Sequence, residues 1–96
     1  MIKLKVEFFG VPVKTSDLKT EIEVKEGARL KDIIAALRHK LPELEGTLIV
    51  TGQDKMIDGY TFNIRGKFYI DGYDDDSDLR LKEGDTIAVL TIPIGG

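Results

Sequence analysis

Apolar and polar residues alternate from the first positions of the chain. Ile2, Leu4, Val6 and Phe8 are apolar, with Lys3, Lys5 and Glu7 between them. A period of two over seven residues predicts a half-buried strand. Phe9-Gly10-Val11-Pro12 breaks the alternation and starts a loop. A second strand is expected from Leu18 to Lys25, with Leu18, Thr20, Ile22 and Val24 on one face. Two strands joined by a short loop should pair antiparallel. After Glu26-Gly27 the period changes. Leu30, Ile33, Ile34, Leu37 and Leu41 form the stripe of an amphipathic helix, leaving Arg29, Lys31, Asp32, Arg38 and Lys40 to solvent. Ala28 stands where a capping Ser, Thr or Asp would be preferred, and Pro42 ends the helix. His39 lies off the stripe and reads as an ordinary surface residue.

The second half carries shorter signals. Leu48-Ile49-Val50 predicts a short strand, and Thr51 to Asp58 a polar loop. Tyr60 to Ile64 reads as a strand with Phe62 and Ile64 on one face. Arg65-Gly66-Lys67 reads as a tight turn, after which Phe68 and Ile70 continue the apolar period. Asp71-Gly72 is a further turn signal. Leu79 and Leu81 follow an acidic loop, and Glu83-Gly84-Asp85 turns into a last strand, Thr86 to Leu90, rich in β-branched residues. The first and last strands are the most apolar and should lie centrally. A hairpin followed by one main helix packed across one face of a mixed sheet is an α+β arrangement of β-grasp (ubiquitin-like) type. A ferredoxin-like fold would need a second substantial helix, and only one stretch has helical period. The expected division is a β-grasp domain over 1–91 and a flexible tail over 92–96.

Composition narrows the chemistry. Ninety-six residues suit one domain, and 42% hydrophobic residues supply a core. Fourteen basic and 17 acidic residues leave a net charge of −3, against general nucleic-acid binding. With no cysteine, thiolate metal sites, disulfides and cysteine nucleophiles are excluded. A single histidine makes a histidine metal site or a catalytic triad improbable. No apolar run approaches the ~20 residues that span a bilayer. The start lacks the apolar block of a signal peptide, so a cytoplasmic protein is expected. Asp74, Asp76 and Asp78 fit the first ligand positions of a calcium loop, with Asp85 at the last. Leu79 replaces the required Gly, however, and neither flank reads as helix. A solvated loop is the simpler reading, with docking to a basic partner surface second; no metal ligands are assigned.

The chain ends Ile92-Pro93-Ile94-Gly95-Gly96. Two glycines order at high entropic cost, and without Cβ atoms they can pass through a narrow channel. Together with Leu81-Lys82-Glu83-Gly84-Asp85 and the strand Thr86 to Leu90, this ending resembles the MoaD/ThiS family of ubiquitin-like sulfur carriers. The specific signature covers residues 81–96; elsewhere the resemblance lies in pattern and element order. The nearest likeness is to the molybdopterin synthase small subunit and the small archaeal modifier proteins. The stretch from Glu43 to Asp58 is long for the shortest members.

The resemblance implies that an ATP-dependent, ubiquitin-activating-like adenylyltransferase converts the Gly96 carboxylate to an acyl-adenylate. Sulfur from a donor then yields a thiocarboxylate. Gly95, Ile94, Pro93 and Ile92 would enter the partner's site, Gly95 lying against the channel wall and Pro93 limiting the entropy lost on insertion. Ile92 could equally continue the last strand. Six extended residues from Thr91 reach at most ~20 Å. The carrier would supply no catalytic side chains and bind no cofactor, ATP being used by its partner. The large subunit of molybdopterin synthase is the acceptor towards which length and the proline-containing tail lean. Thiamine synthesis, tRNA thiolation and attachment to lysines share the same tail chemistry. A β-grasp interaction module without tail chemistry is the reading from a different class. Phe9, Val11 and Tyr69 fall off the expected core faces and are candidate partner contacts.

Overall fold

A computed structural model describes residues 1–14 and 18–92. Strand β1 (Ile2–Phe9) buries Ile2, Leu4, Val6 and Phe8, as its alternation requires. It pairs antiparallel with β2 (Lys19–Val24), which sets Ile2 opposite Val24 and Leu4 opposite Ile22. Thr20 is half-buried and Leu18 exposed, so the inward face of β2 closes only at its second half.

Helix α1 (Leu30–Lys40) turns Leu30, Ile33, Ile34 and Leu37 inward. Its cap lies one residue later than expected, at Arg29. The Asp32 carboxylate reaches back to accept the Arg29 N–H at 2.9 Å, which is the carboxylate half of a capping box. A guanidinium has no acceptor, so the other half cannot form. The Arg29 head instead donates to the carbonyl of Asp76 and ties the helix start to the acidic loop. Pro42 ends the helix: Leu41 sits at φ −129° and ψ 78°, and a single 3-10 turn follows at Pro42–Leu44.

No strand forms at Leu48-Ile49-Val50. Ile49 makes only isolated bridges, to Glu45 and Met56, but the segment is well tied. Val50 N–H donates to the Lys55 carbonyl at 2.8 Å, and Ile57 N–H to that of Leu48 at 2.9 Å. Leu48 and Ile49 are buried, and so is Met56, so one residue of the stretch expected to be a polar loop enters the core.

Strand β3 (Tyr60–Ile64) pairs with β4 (Lys67–Tyr69), and β5 (Thr86–Thr91) completes the sheet. The order is β2-β1-β5-β3-β4, with β1 and β5 parallel and all other pairs antiparallel. The two most apolar strands therefore lie in the middle. One core joins the inner faces of the sheet to α1, with Phe62, Ile64, Leu79, Ile87 and Val89 nearly solvent-free. Among the described residues, every buried side-chain polar atom has a partner. Thr61 is an example, its hydroxyl donating to the Tyr69 carbonyl at 2.9 Å.

One predicted face is reversed. The hairpin between β3 and β4 turns in two residues, Arg65 and Gly66, both at positive φ (51° and 83°). That is the conformation a two-residue hairpin with matching twist requires. Ile64 then faces Lys67 and Phe62 faces Tyr69. Residues opposite each other share a face, so Tyr69 points inward and is 6% exposed, while Phe68 points outward at 58%. Carrying the apolar period straight through the turn misassigned both, and Tyr69 is not a surface contact.

The two ends of strand β5 as the candidate functional site

The site is the root of the C-terminal tail, and β5 sets its position. The strand is held firmly where it begins. Gly84 takes φ +85°, which favours glycine, and its N–H donates to the Lys3 carbonyl at 2.8 Å. The Lys3 N–H in turn donates to the Glu83 carboxylate at 2.9 Å. The Lys5 N–H donates to the Asp85 carbonyl at 2.9 Å, which starts the parallel ladder. The Asp85 carboxylate accepts the Lys82 N–H at 2.9 Å and pairs with the Arg65 guanidinium, which also donates to the Leu79 carbonyl. The Glu-Gly-Asp sequence is thus a clamp. It docks the incoming chain beside the first strand without the help of a helix.

At the other end, among the described residues, one backbone bond follows the ladder. Thr91 lies opposite Tyr60, and the Ile92 N–H donates to the Gly59 carbonyl at 2.7 Å. Ile92 is half-buried and borders a depression of about 240 Å³ with Met56, Tyr60, Ile70 and Tyr73. Its backbone therefore continues the strand pairing by one residue beyond Thr91. Pro93, Ile94, Gly95 and Gly96, the other candidate tail residues, lie outside the described residues.

The sheet face away from α1 has two unlike halves. Across β1 and β2, Lys3 faces Glu23, Lys5 faces Glu21 and Glu7 faces Lys19, three opposite-charge pairs in register. Across β1, β5 and β3, Phe9 faces Leu90, which faces Thr61, while Asn63 of β3 faces Phe68 of β4. Phe9 is 50% exposed, whereas Val11 is half-buried against the core. The periodicity therefore placed Phe9 correctly. It missed Phe68 because of the parity change at the turn, and missed Tyr73 (87% exposed) because loops have no period.

The acidic run is folded onto its own backbone. Asp74 accepts the Ile70 N–H at 2.7 Å, Asp75 the Gly72 N–H at 2.7 Å, and Asp78 the Arg80 N–H at 3.1 Å. These carboxylates satisfy turn amides, the ordinary role of aspartate in loops. Among the described residues, no three acidic, histidine or cysteine groups are placed to hold a metal ion. Nor is any helix long and apolar enough to cross a membrane.

Comparison with known proteins gives concordant results. The fold matches small archaeal modifier protein 1 of Haloferax volcanii at a TM-score of 0.67 and 16% identity, covering 98% of this chain and 99% of that one. A putative molybdopterin converting factor subunit 1 of Pyrococcus furiosus matches at 0.60 and 22%, covering 97% and 100%. The small archaeal modifier protein 1 of Methanosarcina acetivorans matches at 0.61 and 20%, covering 100% and 98%. At these identities the likeness establishes the β-grasp fold. A search of curated protein sequences finds no match. The sequence model of the ThiS family matches residues 6–96, from the middle of β1 through the clamp to the final glycine. The chain therefore belongs to the ThiS family, as a small ubiquitin-like protein on the β-grasp fold.

Proposed function

We propose that this chain carries sulfur on the carboxyl group of Gly96, as the small subunit of a molybdopterin synthase. The observation that carries the reading is the asymmetry of β5, a strand clamped at its start that leads at its far end into a sequence finishing Gly95-Gly96. The family match over that same stretch supports it. The description of one structural relative as a molybdopterin converting factor subunit favours this pathway over the others.

The chemistry follows from the carboxylate. Its charge is delocalised and its oxygen leaves poorly. A partner adenylyltransferase lets a Gly96 oxygen attack the α-phosphorus of ATP, releasing pyrophosphate and giving an acyl-adenylate. Sulfur from a donor displaces AMP and leaves a thiocarboxylate, a soft nucleophile. The acids and bases of these steps belong to the partners. This chain contributes a rigid body and a narrow arm. Ile92, Pro93 and Ile94 are buried by the partner on insertion, and Gly95 lies against its wall. Phe9, Leu90 and Phe68 supply apolar contact on the open sheet face.

Intact-mass measurement tests this directly. The chain is incubated with ATP, its cognate activating enzyme and a sulfur donor. One oxygen replaced by sulfur in the C-terminal peptide is the expected result, lost when a single Ala is appended after Gly96. An unchanged mass with a competent activating enzyme overturns the proposal in favour of an interaction module. The modifier names of the other relatives favour a second reading, in which Gly96 is joined to lysines. A large adduct linking Gly96 to a lysine would establish that reading.

A further inference from the structure

The chain contains two Asp-Gly pairs, Asp58-Gly59 and Asp71-Gly72, and the fold treats them differently. In such a pair the glycine nitrogen can approach the aspartyl side-chain carbon unhindered, because glycine has no Cβ. At Asp71-Gly72 both reacting groups are committed. The Asp71 carboxylate accepts the Met56 N–H at 3.0 Å, and the Gly72 N–H donates to the Asp75 carboxylate at 2.7 Å. That second bond keeps the proton on the nitrogen and holds it turned towards Asp75.

At Asp58-Gly59 both residues are exposed. Among the described residues neither the Asp58 carboxylate nor the Gly59 N–H has a hydrogen-bond partner. Gly59 sits at φ +104°, with nothing within 4 Å of where a Cβ would stand. Its carbonyl, by contrast, is occupied, since it accepts the Ile92 N–H at 2.7 Å. The reactive pair is therefore also the tether of the tail root.

We propose that Asp58-Gly59 is a site of spontaneous isoaspartyl formation, and that the modification loosens the hold on Ile92. The Gly59 nitrogen attacks Cγ of Asp58. The new N–Cγ bond forms as the Cγ–OH bond breaks, and the amide proton and the hydroxyl leave as water. Water then adds to the main-chain carbonyl of the ring and breaks its bond to the Gly59 nitrogen. The chain now runs through the former side chain and carries one extra methylene directly before Gly59. No oxidant, metal or cofactor is needed. The Gly59 carbonyl cannot keep its place opposite Ile92 without a compensating shift. This inference is independent of the sulfur chemistry.

The test ages the full chain at neutral pH and physiological temperature. Protein isoaspartyl methyltransferase with labelled S-adenosylmethionine then marks the isoaspartyl residues. Trypsin separates the two pairs into the peptides 56–65 and 68–80, and fragmentation locates the label. Label at Asp58 should exceed label at Asp71 roughly tenfold, the discrimination expected from two hydrogen bonds at the second pair. In denaturant the two should label equally. Asp58→Glu should abolish the first label, and Asp75→Ala should raise the label at Asp71 by releasing the Gly72 nitrogen. Amide exchange at Ile92 should quicken roughly fivefold in the aged fraction, the loss of one ordinary hydrogen bond. Equal labelling of the two pairs in the native protein, or none at Asp58, overturns the site. Unchanged exchange at Ile92 in a labelled sample overturns the coupling to the tail.

Discussion

The beginning and the end of β5 are opposite solutions to holding a strand. At Gly84 and Asp85, backbone bonds to Lys3 and Lys5, a carboxylate from Glu83 and an ion pair with Arg65 converge on one turn. At Ile92, among the described residues, there is a single backbone bond, to Gly59. A parallel pairing between the first and last strands closes a loop of nearly the whole chain, so ordering it is entropically demanding. The dense clamp at the start offsets that cost. Among the described residues, the bonds that fasten this six-residue strand outside its ladder thus gather where it begins.

The largest loss is expected in the core beneath the strand. Ile87 is fully buried beside the clamp, and Ile87→Ala should cost about 2–5 kcal/mol in denaturant unfolding. Such a loss would remove both ends together. Next, Gly84→Ala places a side chain at φ +85° and should cost about 1–2 kcal/mol, with the folded fraction still competent for whatever the tail does. Glu83→Ala removes the acceptor of the Lys3 N–H and should cost about 0.5–1.5 kcal/mol, seen as a lower midpoint at unchanged m-value. At the other end, Tyr73→Ala should change stability by less than about 0.5 kcal/mol, because its side chain is largely in solvent. If Tyr73→Ala nonetheless weakens binding to an activating enzyme in calorimetry, the tail root is part of the docking surface. If stability falls as far as in Glu83→Ala, the two ends are not separate in the way described.

Much of this division was visible in the chain. The alternation of β1, the stripe of α1, the break at Pro42 and the strand at Thr86 appear in the structure close to their expected bounds. These patterns are local, and a period of two or of three to four is legible within a short window. The Glu-Gly-Asp signature and the Gly-Gly ending pointed to the family that the match over residues 6–96 establishes. The function of the signature was not legible. Nothing in Glu83-Gly84-Asp85 announces that its partners are Lys3, Lys5 and Arg65, because those contacts join residues far apart in the chain.

The order of the five sheet strands and the one main helix, and the centrality of the two most apolar strands, were already written in the local pattern of residues. Which faces meet depended on packing between distant segments. The two-residue turn at Arg65-Gly66 shifted the parity of β4, so Tyr69 entered the core and Phe68 left it. Met56 became a core residue inside a segment with no apolar period. Two identical Asp-Gly pairs diverged because Met56 and Asp75 reach one of them and not the other. In each case a local pattern constrains a residue's conformation, whereas its partners are set by which distant segment packs beside it.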